Sequence, residues 1–152
     1  MDIVTRKLGS TGLDVTVLGY GAMELRGPKS PIPKGRPVDP VQAETTLNVA
    51  LDLGIKLIDT SIDYGESESL IGRFISHRRN EFLLASKCGC NADTDGVEAG
   101  NAPRHIYTRE NIINGVELSL KRLNTDYLDL LQFHGSPPFE SREEAVQALL
   151  DL

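Results

Sequence analysis

Apolar positions along the chain switch between two spacings, and the switches mark out the elements. Leu13, Val15 and Val17 alternate with Asp14 and Thr16, a period of two that predicts a strand. Gly9-Ser10-Thr11-Gly12 before them supplies the turn of a hairpin. Beyond it, short apolar runs predict strands over Val17–Ala22, Lys56–Asp59, Phe82–Lys87 and Leu128–His134. Between these the spacing becomes helical. Asp39 suits an N-cap and Pro40 a first helical position, and Ala43, Leu47, Ala50 and Leu51 then form one face of a helix ending at Gly54. A second helix, from about Ser67, sets Leu70, Ile71, Phe74 and Ile75 on one side. A third opens at Thr108 and carries Ile112, Val116, Leu120 and Leu123. The last begins near Ser141, with Val146, Leu149 and Leu150 as its apolar stripe.

Strand and helix in regular alternation predict an α/β array of parallel strands with right-handed crossovers. Helix-to-strand connections are brief, as at Gly54-Ile55 and Asn124-Thr125-Asp126. Strand-to-helix connections are long. One runs from Met23 to Val38, with Pro28, Pro31, Pro33 and Pro37 among Arg26, Lys29, Lys34 and Arg36. The other runs from Cys88 to Tyr107 and contains Gly89, Gly96, Gly100 and Pro103. Tolerated surface insertion is one account of them. Structureless loops of such length are uncommon, however, and loops after strands are where α/β enzymes build their sites.

Composition narrows the classes of partner. Hydrophobic residues make up 39% and charged residues 25%, as in ordinary globular domains. A formal charge of −6 argues against nucleic acid or an anionic membrane as the main partner. No apolar run approaches the ~20 residues that span a bilayer, and the first residues lack the order of a signal peptide. A cytoplasmic setting is therefore expected. Cys88 and Cys90, one residue apart, suit neither a disulfide framework nor a zinc site. Lysine charge beside them would favour a thiolate, but the spacing matches no known thiol motif and they read as plain loop cysteines. His77 and His105 have no acidic or cysteine cluster near them in sequence, so no metal is assigned, and His77 beside Arg78 and Arg79 reads as a solvated helix end. Gly19-Tyr20-Gly21 lacks a third glycine and runs into a proline-rich loop, unlike a Rossmann fingerprint.

Three of the strands stop on an ionisable side chain: Asp59, Lys87 and His134. Tyr64 follows Asp59 by five positions, next to Gly65. Singly, each has an ordinary structural explanation; together, four such groups at one mouth are harder to obtain by chance. A carbonyl accepting hydride develops negative charge on oxygen and needs a proton there. A phenol, with an ordinary pKa of about 10, supplies it only when a neighbouring ammonium favours the phenolate. A carboxylate keeps that ammonium charged and positioned, and an imidazole on the other side donates to the carbonyl oxygen.

The segment Ile58-Asp59-Thr60-Ser61-Ile62-Asp63-Tyr64-Gly65 closely resembles the signature of the aldo-keto reductases. So do Ala85-Ser86-Lys87, the run Arg122 to Leu130, and Leu130-Leu131-Gln132-Phe133-His134. The opening Arg6-Lys7-Leu8-Gly9-Ser10-Thr11-Gly12-Leu13 resembles the family's N-terminal hairpin, which plugs the barrel floor. The resemblance implies a (β/α)8 TIM barrel, of which residues 1–152 supply the hairpin and about four βα units. It implies a catalytic tetrad of Asp59, Tyr64, Lys87 and His134, with Tyr64 as general acid. It also implies NADPH or NADH as cofactor, bound against Gly21, Ala22, Met23 and Asp59, and a small carbonyl compound as substrate.

Two other functions compete. Lys87 on a barrel scaffold is also a candidate Schiff-base lysine, which would make a lyase, and a half-barrel that keeps the tetrad as a relic would be a binding or regulatory module. A whole barrel needs eight units and about 250 residues. The spacing Val146, Leu149, Leu150 runs to Leu152 without a glycine or proline stop. The expectation is thus a chain truncated within its fourth helix, or one that associates with a complementary half or with another copy.

Overall fold

The computed structural model describes residues 3–28, 36–94 and 105–152. The lysines and prolines expected at positions 29–34, and Gly96, Gly100 and Pro103 of the second long loop, lie outside the described residues.

A hairpin opens the chain. Strand β1, Thr5–Lys7, pairs antiparallel with β2, Asp14–Thr16, with Arg6 opposite Val15. Thr11 and the left-handed Gly9 and Gly12 make the turn, and Lys7 closes it across to Asp14 at 2.8 Å. Thr16 then accepts a hydrogen bond from the Lys56 amide, at the start of the next sheet rather than at its functional end. This is the floor position that the resemblance implies.

Four parallel strands follow in the order β3 (Tyr20–Gly21), β4 (Leu57–Asp59), β5 (Leu83–Cys88) and β6 (Leu130–Phe133). Helices α1 (Pro40–Asp52), α2 (Ser67–Ile75), α3 (Arg109–Leu123) and α4 (Arg142–Leu150) lie between and after them. Asp39 caps α1 by accepting from the Val41 amide, and Thr108 caps α3 by accepting from Asn111. The left-handed Asn124, at φ 51°, ends α3. One face of the sheet is packed by the helices. Ile58, Leu84, Leu47, Ile71, Ile75 and Leu123 make the larger core there, and Cys88, Ile112, Val116, Ala145 and Ala148 make a second one.

Three expectations need correction. The strand expected over Val17–Ala22 shrinks to Tyr20–Gly21: Val17 and Leu18 are 61% and 57% exposed, and Ala22 already begins a 3-10 turn. The stripe expected on α4 is rotated, because Ala145 and Ala148 are buried while Val146 and Leu150 are exposed. Small alanines let this helix approach α3 closely, so burial follows closeness and not side-chain size. His77 is exposed, as expected of a solvated helix end, but that end is not solvated throughout. Arg79 is buried, donates to Asp129 and the Phe82 carbonyl, and stacks over the Tyr127 ring at 3.9 Å.

Helices α2 and α3 cross with almost no side chain between them. A Cβ on Gly72 would stand 2.1 Å from the Arg122 carbonyl oxygen and 2.8 Å from the Leu123 carbonyl carbon. Nearby, Glu68 of α2 is fully buried, accepts from Ser86 of β5 at 2.9 Å, and lies 3.5 Å from an Arg122 nitrogen. That ion pair is too long to be a good hydrogen bond, and burial pushes the Glu68 carboxyl above its ordinary range.

Two outcomes are expected from this contact. Gly72→Ala gains about 1 kcal/mol of helix propensity but drives a methyl into backbone that cannot swing aside. Overpacking of this kind costs roughly 1–3 kcal/mol, so a net loss should appear in the urea midpoint, and an equal or higher midpoint would refute the close crossing. For Glu68, the folded state holds its proton more tightly than the unfolded one. Its contribution is complete below the unfolded pKa of about 4.3 and is lost as pH rises through the higher folded value. The stability of Glu68→Gln relative to the native chain should therefore rise from acid toward neutral pH, and a flat difference across that range would contradict it.

Candidate active site

The parallel register brings the strand-end groups together. Asp59 stands opposite Ala85 on β5, and Lys87 lies two residues further along, on the same face as Ala85. Gln132 of β6 stands opposite Lys87. On this side, away from the helices, the diagonal from Asp59 to Lys87 is within reach of a long side chain. Lys87 Nζ donates to Asp59 Oδ2 at 2.6 Å and to the Thr60 carbonyl at 2.8 Å, and Gln132 reaches Asp59 Oδ1 at 3.4 Å. Lys87 is 14% exposed and Asp59 36%, so the pair sits at a partly wet surface.

Tyr64 arrives on a loop and not on a strand. Residues 60–66 fold back from β4 in a tight sequence of turns. The Tyr64 amide donates to the Ser61 carbonyl, the Ser67 amide to the Tyr64 carbonyl, and Gly65 takes φ 50°. Two buried hydroxyls pin this loop to the sheet: Thr60 and Ser67 are 2.9 Å apart, and Ser67 donates to the Ala22 carbonyl. The loop delivers the Tyr64 ring to 4.9 Å beneath the Lys87 ammonium, a cation–π distance. His134 follows β6, tied through its amide to the Cys88 carbonyl, and its ring meets that of Tyr64 edge-on at 5.6 Å. The four expected catalytic residues thus form one cluster.

The residues expected against a cofactor divide. Gly21 pairs with Asp59 at the end of β3, is exposed, and has open space where a Cβ would stand. Met23 is 39% exposed. Ala22 does not meet the expectation: the whole residue is buried in the core and its carbonyl accepts from Ser67, so it presents no surface to a ligand.

Several residues of the site escaped the sequence reading. Asp63 is fully buried, and its Oδ1 lies 3.0 Å from His134 Nδ1. Ser61 donates to Asp63 at 2.8 Å and is itself 3.1 Å from the same nitrogen. Cys90 is no plain loop cysteine. It is 1% exposed, its sulfur stands 3.2 Å from His134 Nδ1, and its backbone bridges to His105. The His105 ring in turn meets that of His134 edge-on at 5.7 Å. Cys88 belongs to β5 and points into the second core, where burial pushes its thiol up to about 11. Asp63 and Cys90 both lie on loops that follow strands, Asp63 in the turn that Ser61 and Tyr64 close and Cys90 just after the left-handed Gly89, where no periodicity announces direction.

No described helix is long and apolar enough to cross a membrane. The chain is similar to the uncharacterized oxidoreductase YqkF of Bacillus subtilis, 35% identical over 150 residues that cover 97% of this chain and 44% of that protein. It is 32% identical to the aldo-keto reductase YhdN of the same organism, over 95% of this chain and 42% of that one. Among solved structures, the aldo-keto reductase AKR11C1 from Bacillus halodurans, in its holo form, superposes with a TM-score of 0.82 at 29% identity, covering 99% of this chain and 46% of that one. The chain therefore spans less than half the length of the curated relatives it matches, and corresponds to part of their TIM barrel. With residues 17–152 matching the model of the aldo/keto reductase family, the chain belongs to that family.

Proposed function

We propose that this chain carries the catalytic mouth of a nicotinamide-dependent carbonyl reductase, with Tyr64 as general acid. The observation that supports this reading best is the Lys87 ammonium, held by Asp59 at 2.6 Å and poised 4.9 Å from the Tyr64 ring. Asp59 and the Thr60 carbonyl hold and aim the Lys87 ammonium. The Lys87 ammonium sets positive charge beside the Tyr64 ring, and Tyr64 delivers its phenolic proton to the carbonyl oxygen as negative charge builds there. His134, across the Tyr64 ring, is placed to orient the same oxygen.

NADPH or NADH fits the residues present in one respect. The open space over Gly21, level with Asp59, admits a flat ring beside the tetrad. When bound, the reduced nicotinamide supplies hydride to the carbonyl carbon. Gly21 and Met23, both exposed, would hold that end. In barrels the phosphate site is commonly built by the loops after strands seven and eight, so anchoring of the remainder belongs to length that the relatives have beyond this match.

A Schiff-base lyase fits less well. That chemistry needs a free amine, and the Lys87 nitrogen already has two acceptors, at 2.6 Å and 2.8 Å. The described β3 and β6 have one neighbour each, which leaves sheet edges for a complementary half-barrel to cover.

These proposals are testable in a chimera in which residues 1–152 replace the corresponding half of YqkF, assayed by NADPH oxidation with 4-nitrobenzaldehyde. Tyr64→Phe should lower turnover by about 10²-fold or more with cofactor affinity little changed. A variant that keeps near-normal turnover would remove Tyr64 from the mechanism. Lys87→Met should be comparably impaired, and borohydride with the carbonyl substrate should leave no adduct on the native protein. A trapped adduct at Lys87 would establish the lyase reading. The 152-residue chain alone, verified as a monomer, should reduce the aldehyde negligibly, and robust turnover would show that four strands suffice.

A further inference from the structure

Behind the proposed mouth, three side-chain atoms close on one ring nitrogen of His134. His134 Nδ1 is 3.0 Å from Asp63 Oδ1, 3.1 Å from Ser61 Oγ and 3.2 Å from Cys90 Sγ, while Ser61 and Asp63 are 2.8 Å apart. The ligand atoms of Asp63, Cys90 and His134 all lie within 4.8 Å of one another. A single ring nitrogen has one hydrogen or one lone pair in its plane, so it cannot satisfy three neighbours at once. Asp63, which also accepts from Ser61, can take a hydrogen from Nδ1 only when the ring carries one there, whereas a thiol can donate to Nδ1 only when it is bare, so those two contacts exclude each other.

One occupant meets all of these demands. Thiolate, imidazole and carboxylate are the ligand types of a zinc-class divalent cation. With bonds of about 2.0–2.1 Å to nitrogen and oxygen and about 2.3 Å to sulfur, tetrahedral ligand atoms stand roughly 3.3–3.6 Å apart. The separations from Nδ1, 3.0 Å and 3.2 Å, are a few tenths of an ångström shorter than this, while the three ligand atoms span up to 4.8 Å, so the side chains would adjust by small rotations to close around an ion. Asp63 and Cys90 are shielded, at 0% and 1% exposure, and the 22% exposed His134 side chain offers the way in.

We infer that Asp63, Cys90 and His134 form a binding site for a zinc-class divalent cation, with Ser61 or a water completing four-coordination. Binding releases the Cys90 thiol proton, and any proton on Nδ1, to solvent. It also fixes the imidazole tautomer. With Nδ1 on the ion, a neutral ring carries its hydrogen on Nε2, the nitrogen left to face a ligand of the mouth. The site stands on its own geometry and does not depend on the reductase reading.

Cobalt(II) and zinc(II), added separately to the purified 152-residue chain, test this without an activity assay. Cobalt should bind one to one and develop a thiolate-to-metal charge-transfer band. Cys90→Ser should lose that band, and Cys88→Ser should keep it. Asp63→Asn should weaken uptake by about 10-fold or more, in line with the usual cost of disturbing a ligand shell, with folding checked by circular dichroism. Zinc-edge X-ray absorption on the unsubstituted chain decides the matter even where a variant fails to fold. One sulfur at about 2.3 Å together with imidazole scattering supports the site. No uptake at equimolar metal, a first shell without sulfur, or a band unchanged in Cys90→Ser would overturn it, leaving a hydrogen-bonded cluster only.

Discussion

Everything at the mouth depends on the register between β4, β5 and β6. Side chains alternate along a strand, so sliding β5 by one residue would send every group to the opposite face. Lys87 would then enter the helix layer, and Ser86 and Cys88 would face the mouth. The register is held from both sides. On the helix side, Ile58 and Leu84 fill the core, and Ser86 is completely buried with its hydroxyl on Glu68. At the base of the sheet, Asp129 accepts from the Leu84 amide and from the buried Arg79, which locks the start of β6 to the start of β5. The charged pair at the top is the visible result of apolar packing underneath. An ion pair at a partly wet surface contributes only modestly to stability, so the Asp59–Lys87 contact is better regarded as a consequence of the fold than as its cause.

What the sequence made legible follows from the same physics. Helices α1, α2 and α3 each bury a broad stripe of large side chains, and α1 and α3 also carry side-chain caps, so periodicity and chemistry agreed on them. The strand ends were legible because a buried run that stops on a charge has few other meanings. The first strand was not. Val17 and Leu18 look like strand interior, yet both lie exposed on the approach from the hairpin, where no layer covers them among the described residues. Helix α4 misled for a different reason: Ala145 and Ala148 carry its burial, and alanine gives a hydrophobic pattern little weight.

The residues around His134 Nδ1 were illegible in principle. Ser61, Asp63 and Cys90 lie on two loops 27 positions apart at the closest, from Asp63 to Cys90, and they meet only through the turns of those loops, Cys90 just after the left-handed Gly89. Spacing in sequence carries no trace of that meeting. Cys88 and Cys90 show how far apart near neighbours can end. Gly89, at φ 89°, approaches the Tyr107 ring so closely that a Cβ would stand 2.4 Å from it. The bend this permits leaves Cys88 in the helix-side core and Cys90 against His134. Two cysteines that read alike in the sequence therefore have different chemistry, one a thiol pushed up to about 11 by burial and the other a neighbour of an imidazole.

His134 joins the two parts of the site, because the nitrogens of a neutral imidazole are not independent. Whatever occupies Nδ1 determines whether Nε2 is a donor or an acceptor. If Asp63 takes a hydrogen from Nδ1, a neutral ring leaves Nε2 bare, able to accept but not to donate to a carbonyl oxygen. If Nδ1 has no hydrogen, whether because Cys90 donates to it or because a cation coordinates it, Nε2 carries the hydrogen and can donate. The proposed role of His134 in orienting a carbonyl requires the second arrangement. Asp63 sits one residue before Tyr64, so the loop that supplies the proposed acid also supplies the group that opposes this tautomer. In that arrangement the buried carboxylate relies on partners other than Nδ1. The Ser61 hydroxyl provides one at 2.8 Å, and a cation among the same four atoms would provide a stronger one.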